Sequence, residues 1–148
     1  MTADNAPSPY VASASTIRGA GWDAFKAFDH STAANDNQWI AQINVTTGWL
    51  KIDLGVGNEA AVTNYSITNN TDGGYATACP SDWTFEGSNN DADWDTLDTV
   101  INETAWGSQE ERNFTFSNVT AYRYYRLNIT SNDGSVNWLI VGELELFA

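Results

Sequence analysis

The chain of 148 residues is 42% hydrophobic and 13% aromatic, which suffices for a single domain with its own core and excludes intrinsic disorder. Its 19 acidic and 6 basic residues give a formal net charge of −13. A surface so negative repels phosphate groups, which excludes nucleic acid as a partner and leaves neutral molecules or cations.

The N-terminal part of the chain contains little regular pattern. Residues 1–7 are small and polar and predict a disordered arm, so the domain is expected to span residues 8–148. Residues 23–28 have a helical pattern of one or two turns at most. After this segment the chain carries short apolar alternations bounded by Gly, Asn, Asp or Pro, which is typical of β-strands.

The clearest strand candidate covers residues 49–55, where Leu50, Ile52 and Leu54 share one face. Such segments with turns between them predict one all-β domain, an antiparallel β-sandwich or barrel. The other strand candidates, in chain order, are residues 64–68, 82–88, 94–100, 113–116, 121–130 and 142–147.

The sequence offers little for catalysis. His30 is the only histidine and Cys79 the only cysteine, and we interpret them as a turn residue and a packed thiol, because nucleophilic catalysis needs a base beside the nucleophile. Most acidic residues lie in turns or at outward strand positions, which disfavours a glycosidase pair of carboxylates. The chain is therefore predicted not to be an enzyme. No run approaches the ~18 apolar residues of a membrane span, so no membrane insertion is expected.

Two acidic segments could gather oxygen atoms around a cation. Residues 91–95 hold carboxylates at alternate positions, but an EF-hand loop begun at Asp91 would need Gly and Glu where Thr96 and Asn102 stand. A hairpin turn is therefore favoured there. Residues 29–37 are small and polar, and such a segment can supply several oxygens to a hard cation such as Ca²⁺. From the residues alone, an Asx-rich turn and a metal loop both remain open.

Six segments in order resemble the F5/8 type C (discoidin) domain, and the most similar variant is the family 32 carbohydrate-binding module of secreted bacterial glycosidases and phage tail proteins. The resemblance extends from about residue 8 to residue 147 and implies a jelly-roll-like β-sandwich, in agreement with the strand pattern. The segments are AFKAFD at 24–29, Trp39, GWLKIDLG at 48–55, PSDWTFEGSN at 80–89, YRYYRL at 122–127 and GELEL at 142–146.

The resemblance also implies a structural calcium ion that ties the loop of residues 29–37 to the strand near the C-terminus. His30 stands where the family usually has Gly, and Asn37 where it prefers Thr, so Asp36 is an alternative to Asn37. The implied ligands are carbonyl oxygens of Lys26, Ser31 and Gly142, the carboxylates of Asp29 and Glu143, and a side-chain oxygen of Asn37 or Asp36.

In the resembling modules a sugar binds to loops at one end of the sandwich. An aromatic platform beside amides or carboxylates suits the apolar face and hydroxyl rim of a neutral sugar. Four tryptophans, Trp39, Trp49, Trp83 and Trp94, are expected in the core, whereas Trp106 is expected to be exposed in another loop. In the corresponding loops of this chain, the resemblance implies the sugar-binding residues Arg18, Trp22, Gln42, Asn69, Asp72, Tyr75, Asn137 and Trp138.

The sequence therefore predicts a non-catalytic module that binds a neutral glycan and is stabilised by calcium. It is expected to be extracellular, cell-surface or virion-associated, as part of a larger multidomain or virion protein. The Arg and His pair of galactose-binding relatives has no obvious counterpart, which leaves the sugar open. The alternative is a structural or protein-interaction domain of a phage tail or cell-surface protein. A lipid-binding discoidin domain is disfavoured by the shortage of basic residues.

Overall fold

The structure, a computed structural model, describes residues 1–31, 37–69 and 75–148. Within these ranges the chain forms ten β-strands and two short 3-10 helices, Ala24–Ala27 and Ala76–Ala78. Neither helix is long or apolar enough to cross a membrane. The strands are β1 (Val11–Ala14), β2 (Trp39–Ile40), β3 (Gly48–Asp53), β4 (Asn64–Thr68), β5 (Pro80–Ser88), β6 (Asp95–Val100), β7 (Glu111–Thr115), β8 (Tyr124–Asn132), β9 (Ile140–Val141) and β10 (Glu143–Phe147).

The strands form three antiparallel sheets. The largest has the order β1-β3-β8-β5-β6, the second has the order β10-β4-β7, and the third is the ribbon of β2 and β9. This arrangement confirms the predicted all-β, antiparallel sandwich. The predicted strands from residue 49 onward correspond to β3 to β8 and β10, and the predicted helical segment is the first 3-10 helix. The strands β1, β2 and β9 were not predicted.

Aromatic side chains join the two larger sheets. Tyr65 of β4 stacks on Phe85 of β5, with ring centroids 4.2 Å apart, and on Phe114 of β7 at 5.1 Å. The Tyr65 hydroxyl accepts a hydrogen bond from Nε1 of Trp83 at 2.8 Å. Strand alternation places these rings on inward faces, so the core lies between the sheets.

The burial of the tryptophans differs from the prediction. Trp39 and Trp83 are buried, as expected. Trp49 and Trp94 are only half-buried, which corrects their assignment to the core. Trp49 lies beside the buried Leu50 on β3, so alternation directs its ring to the outer face of the large sheet. An arginine guanidinium of β8 lies 4.1 Å from the ring centroid of Trp94.

Trp106, expected to be exposed, is buried, with 4% of its surface accessible. Its Nε1 donates a hydrogen bond to the carbonyl of Pro80 at 3.0 Å, and the guanidinium of Arg112 lies 4.3 Å from its ring centroid. The expectation was wrong because the hydrogen-bond acceptor of this ring, the Pro80 carbonyl, lies 26 residues away in the sequence.

The N-terminal residues 1–7, expected to be a disordered arm, are placed against the domain. The ammonium group of Met1 donates to the carbonyl of Phe28 at 2.6 Å. The Asp4 carboxylate accepts a hydrogen bond from the backbone nitrogen of Phe25 at 2.8 Å, and its carbonyl accepts one from Ala12 at 2.6 Å. These contacts attach the arm to the first 3-10 helix and to β1.

Candidate functional site

The floor of the candidate site is one face of the β2–β9 ribbon. Ile40 pairs with Ile140, and Trp39 pairs with Val141. Because side chains alternate along a strand, the two isoleucines face away from Trp39 and Val141. Trp39 and Val141 enter the main core, whereas the isoleucines form a small separate cluster with Ala78. The ribbon therefore has one face in the core and one face available to a site.

A cavity of about 240 Å³ lies over this face. It is smaller than the ~300–1,000 Å³ typical of sites for drug-sized ligands, so it suits a ligand of about one ring. Aromatic, apolar and polar side chains converge in it from separate segments of the chain. The lining residues are Arg18, Trp22, Gln38, Ile40, Tyr75, Trp138 and Ile140.

A second, larger cleft of about 490 Å³ lies between the N-terminal segment and β10. Its lining is mostly apolar, and it carries an ion-pair contact of 3.1 Å between Nδ1 of His30 and the Glu145 carboxylate. Three aromatic rings, of Tyr10, Phe28 and Phe147, line this cleft, but none of its lining residues has a side-chain amide or guanidinium. We therefore take the smaller cavity as the candidate binding site.

Aromatic rings form the walls of the cavity around one guanidinium. The Arg18 guanidinium carbon lies 4.6 Å from the ring centroid of Trp138 and 5.4 Å from that of Trp22. Tyr75 meets Trp138 edge to face, with centroids 6.4 Å apart. Tyr75 is 49% exposed, and both tryptophans are half-buried. These rings are thus held by contacts with each other while part of their surface stays open to a ligand.

Backbone and side-chain hydrogen bonds hold the wall segments in place. The backbone nitrogen of Arg18 donates to the carbonyl of Ile40 at 2.8 Å, which fixes the first loop to the floor. The Asn132 side chain donates to the carbonyl of Trp138 at 2.6 Å. The backbone nitrogen of Trp138 donates to the Ser135 hydroxyl at 3.1 Å. The cavity is therefore largely preformed, as binding sites for small ligands usually are.

Gln38 supplies a polar group that the sequence analysis missed. It lines the cavity, is 3% exposed, and its amide oxygen has no hydrogen-bond partner among the residues that the structure describes. Buried polar atoms normally have such partners, so this unpaired oxygen is an exception in the fold. The sequence of residues 38–40 contained enough information to place Gln38 at the cavity. Once Trp39 is assigned to the core, alternation places Gln38 and Ile40 together on the opposite face.

The structure brings four of the eight predicted ligand-binding residues together around this cavity. They come from the loop before the first 3-10 helix, the start of the second 3-10 helix and the loop before β9, which are far apart in sequence. The four residues are Arg18, Trp22, Tyr75 and Trp138.

The other four predicted residues do not line the cavity as described. Gln42 and Asn137 are exposed beside it, and the carbonyl of Asn137 accepts a hydrogen bond from the adjacent loop. Asn69 is 1% exposed, and its amide donates to the carbonyl of Gly107 at 2.7 Å. This contact braces another loop, and Asn69 does not line the cavity within the described residues. Asp72 lies outside the described residues.

A separate cluster of oxygen atoms joins the loop of residues 29–37 to β10. The Asn37 side-chain nitrogen donates to the Asp29 carboxylate at 2.6 Å and to the Ser31 carbonyl at 3.4 Å. The backbone nitrogen of Ser31 lies 3.0 Å from carboxylate oxygens of both Asp29 and Glu143. The two ends of the loop and the start of β10 thus meet at one point.

The electrostatics of this cluster are unfavourable for two free carboxylates. Glu143 is 2% exposed, and its burial together with the neighbouring Asp29 carboxyl raises the pKa of Glu143 to about 8. The nearby ammonium of Lys26 donates to the Asn37 side-chain oxygen at 2.8 Å. A cation at this position would relieve the repulsion between the carboxylates.

Four of the predicted metal ligands meet in this cluster. Asp29, Ser31, Asn37 and Glu143 lie together, whereas Asp36 falls outside the described residues. In the described part of the chain no group of three or more His, Cys, Asp and Glu side chains converges. A cation would therefore depend on two carboxylates together with carbonyl or amide oxygens. Such an all-oxygen set suits a hard cation and not a transition metal.

Comparisons with known proteins agree on the fold. The family model of the F5/8 type C domain matches residues 11–144, and no curated protein matches the chain by sequence. Chitosan-binding module 1 of a chitosanase/glucanase from Paenibacillus sp. IK-5 is 24% identical, with a TM-score of 0.72 over 93% of this chain and 94% of that one.

Two further solved structures come from Clostridium perfringens. The module CpGH89CBM32-5, in complex with GalNAc-β-1,3-galactose, is 14% identical, with a TM-score of 0.72 over 94% of this chain and 95% of that one. The family 32 module of NanJ, in complex with galactose, is 16% identical, with a TM-score of 0.71 over 93% and 92%. At these identities the similarity establishes the shared fold.

Proposed function

Because the chain belongs to the F5/8 type C domain family, we propose that it is a non-catalytic carbohydrate-binding module whose site is the cavity over the β2–β9 ribbon. The observation that carries this proposal is the convergence of Trp22, Tyr75 and Trp138 around Arg18. Indole and phenol rings pack against the C–H face of a sugar, and polar groups beside them bind its hydroxyls. Modules of the same fold in complex with galactose and with GalNAc-β-1,3-galactose support the same class of ligand.

The ligand of this module is an uncharged glycan. The net charge of −13 repels sulfated and uronic glycans. A cavity that holds about one ring supports a free energy of binding of roughly −4 to −6 kcal/mol, which corresponds to millimolar to tens of micromolar affinity. Retention on a polysaccharide then depends on several sites acting together, as in an extracellular multidomain enzyme or a virion fibre.

A glycan array followed by titration tests this proposal. Changing Trp22, Tyr75 or Trp138 to Ala removes one wall of the cavity, and we expect each change to weaken binding by about tenfold or more. Tyr10→Ala is the matched control, because Tyr10 is an exposed ring that does not line this cavity. If the unaltered protein binds no glycan, the alternative of a structural or protein-interaction domain takes its place.

The proposal includes a structural calcium ion at the cluster of Asp29 and Glu143. The two carboxylates, a side-chain oxygen of Asn37 and backbone carbonyls, including those of Lys26, Ser31 and Gly142, would hold it. The support for it is the pair of adjacent carboxyls with the raised pKa of Glu143 and the amide and carbonyl oxygens of Asn37 and Ser31 beside them. When bound, the ion supplies positive charge that cross-links the loop of residues 29–37 to β10.

Thermal unfolding with and without chelator tests the calcium site. A ligand that binds only the folded state raises its stability, so we expect chelation to lower the melting temperature and Asp29→Ala to abolish the difference. Glu111→Ala, at an exposed position on β7, should keep the difference. If chelator leaves the melting curve of the unaltered protein unchanged, the calcium proposal fails.

A further inference from the structure

The loop of residues 133–137 leads from β8 to Trp138, which forms one wall of the cavity. All five of its residues are exposed or half-buried, and Val136, its one apolar side chain, is 79% exposed. Apolar packing therefore contributes little to the placement of this segment. Its course, and with it the backbone position of Trp138, depends on hydrogen bonds to the rest of the fold.

Asn132, the last residue of β8, supplies three of these hydrogen bonds. Its side-chain nitrogen donates to the carbonyls of Ser135 and Trp138 at 2.8 Å and 2.6 Å. Its side-chain oxygen accepts a hydrogen bond from the backbone nitrogen of Gly134 at 3.1 Å. An asparagine amide has two N–H donors, and both are used on this loop. Asn132 does not line the cavity, so it can act on a ligand only through the loop.

Ser135 connects the same loop to a second wall of the cavity. Its backbone nitrogen donates to the carbonyl of Thr77 at 3.0 Å, in the 3-10 helix that begins directly after Tyr75. Its hydroxyl accepts a hydrogen bond from the backbone nitrogen of Trp138 at 3.1 Å. Because Asn132 holds the Ser135 carbonyl, it also helps to set the distance between the two walls. Their rings meet edge to face.

We propose that Asn132 is a positioning residue of the binding site, which holds the Trp138 wall in the geometry that receives a sugar without contacting the sugar. This inference rests on the proposed function, because it concerns the affinity of the same site. A wall that is already ordered spares the ligand the entropy cost of ordering it on binding. Loss of the two Asn132 donors should therefore weaken binding although no group that touches the ligand is removed.

Asn118 provides a matched control in another part of the fold. Its side-chain nitrogen also donates to two carbonyls, of Val62 and Thr120, at 3.1 Å and 2.9 Å. Its side-chain oxygen accepts a hydrogen bond from the backbone nitrogen of Thr120 at 2.9 Å. Like Asn132 it is half-buried, but it lies between β7 and β8 and does not line the cavity. Replacing either asparagine removes the same kinds of hydrogen bond, so both variants should lose similar stability.

The first experiment needs no sugar. The indole N–H resonance of Trp138 in NMR spectra, assigned with Trp138→Phe, reports the order of this wall. We expect Asn132→Ala to shift or broaden it and Asn118→Ala to leave it unchanged, while the resonances of the buried Trp39 and Trp83 stay in place. Asn132→Asp keeps the side-chain oxygen but loses both donors, so it should act like Asn132→Ala. An unchanged resonance in either Asn132 variant overturns the inference.

NMR titration with methyl galactoside and with chitotriose adds a readout of affinity. For a sugar that binds the unaltered protein, Asn132→Ala should weaken binding about three- to tenfold, whereas Asn118→Ala should stay within about twofold. In the Trp138→Ala background the effect of Asn132→Ala should largely vanish, because both changes act on one wall. Melting curves confirm that each variant is folded at the temperature of the titration.

The outcomes distinguish this inference from the function on which it rests. If neither sugar binds the unaltered protein, the failure is that of the proposed function, and the Trp138 resonance alone decides the positioning role. If a sugar binds and the two alanine variants weaken it equally, Asn132 acts through general stability and the inference is overturned. A full effect of Asn132→Ala in the Trp138→Ala background also overturns it, because the asparagine then acts through another part of the site.

Discussion

The buried amide oxygen of Gln38 lowers the stability of the folded state. Burial removes this oxygen from water without a replacement among the described residues, and such a group costs the folded protein about 1–3 kcal/mol. The cost of this unpaired oxygen can therefore be measured in the ligand-free protein.

Gln38→Met should raise the free energy of unfolding of the ligand-free protein by about 1 kcal/mol, because the unpaired acceptor is replaced by an apolar group of similar length. Urea denaturation measures the change. Gln42→Met, at an exposed position, should stay within about 0.5 kcal/mol of the unaltered protein. A loss of stability in Gln38→Met would show that the amide has an essential structural partner.

At the scale of single elements, the sequence predicted the longer strands and missed the short ones. In β3 to β5 the alternation of apolar residues runs for several positions, which is enough to identify a strand and its inward face. The strands β2 and β9 have two residues each, and no periodicity can be read from two positions. Their pairing depends on contacts between residues about 100 positions apart, as Trp39 and Val141 show.

The candidate site likewise has parts that the sequence predicted and parts that it did not. Its aromatic walls could be predicted, because an aromatic such as Tyr75 in a polar loop has no core to fill. Its floor could not be predicted, because Gln38 and Ile140 meet only after the ribbon has formed. Asn69 is the opposite case, a residue that was predicted at the site but whose amide contacts a different loop. Its loop position suggested a ligand contact, whereas its amide is used by the carbonyl of Gly107 at 2.7 Å.

The close approach of Tyr122 to β5 gives a prediction at the scale of one strand. A Cβ atom on Gly87 would lie 2.6 Å from the Tyr122 ring, whose hydroxyl donates to the Asp95 carboxylate at 2.7 Å across β6. Gly87→Ala should therefore displace the ring and lower the free energy of unfolding by about 1–3 kcal/mol, measured by urea denaturation. Gly107→Ala is a milder control, because the nearest atom there is a side-chain oxygen of Glu110 at the longer distance of 3.2 Å. Equal effects of the two changes would contradict the assigned contact.

The molecule as a whole combines an excess of acidic residues with a buried carboxyl pair near its chain termini. Nineteen acidic residues against six basic ones repel each other in the folded state at neutral pH. The Glu143 carboxyl avoids this repulsion at neutral pH by keeping its proton, since burial and the neighbouring Asp29 raise its pKa to about 8. A bound cation would offset this local repulsion, so the stability of the whole domain should depend on pH when chelator removes the cation.

The direction of this pH dependence follows from the pKa of Glu143 in the two states. The folded pKa of about 8 lies above the ordinary value of 4.5, so the folded protein holds the proton more tightly than the unfolded chain does. In chelator, the stability that this carboxyl supports is present below about pH 4.5 and is lost as the pH rises towards 8. The loss should be on the order of 5 kcal/mol once the pH exceeds both pKa values, because each pKa unit corresponds to ~1.36 kcal/mol, and urea denaturation at a series of pH values measures it.

Two comparisons isolate this carboxyl from the rest of the acidic surface. Glu143→Gln is neutral at every pH but keeps a side-chain oxygen for the backbone N–H groups of His30 and Ser31, which contact Glu143 at 3.3 Å and 3.0 Å. In chelator its stability should decline less between pH 5 and pH 8 than that of the unaltered protein, because only the dispersed surface charges still titrate. Calcium should flatten the profile of the unaltered protein and leave that of Glu143→Gln unchanged. Parallel profiles for the two proteins in chelator would show that Glu143 is already ionised in the metal-free fold, and the buried pair would then not be the origin of the pH dependence.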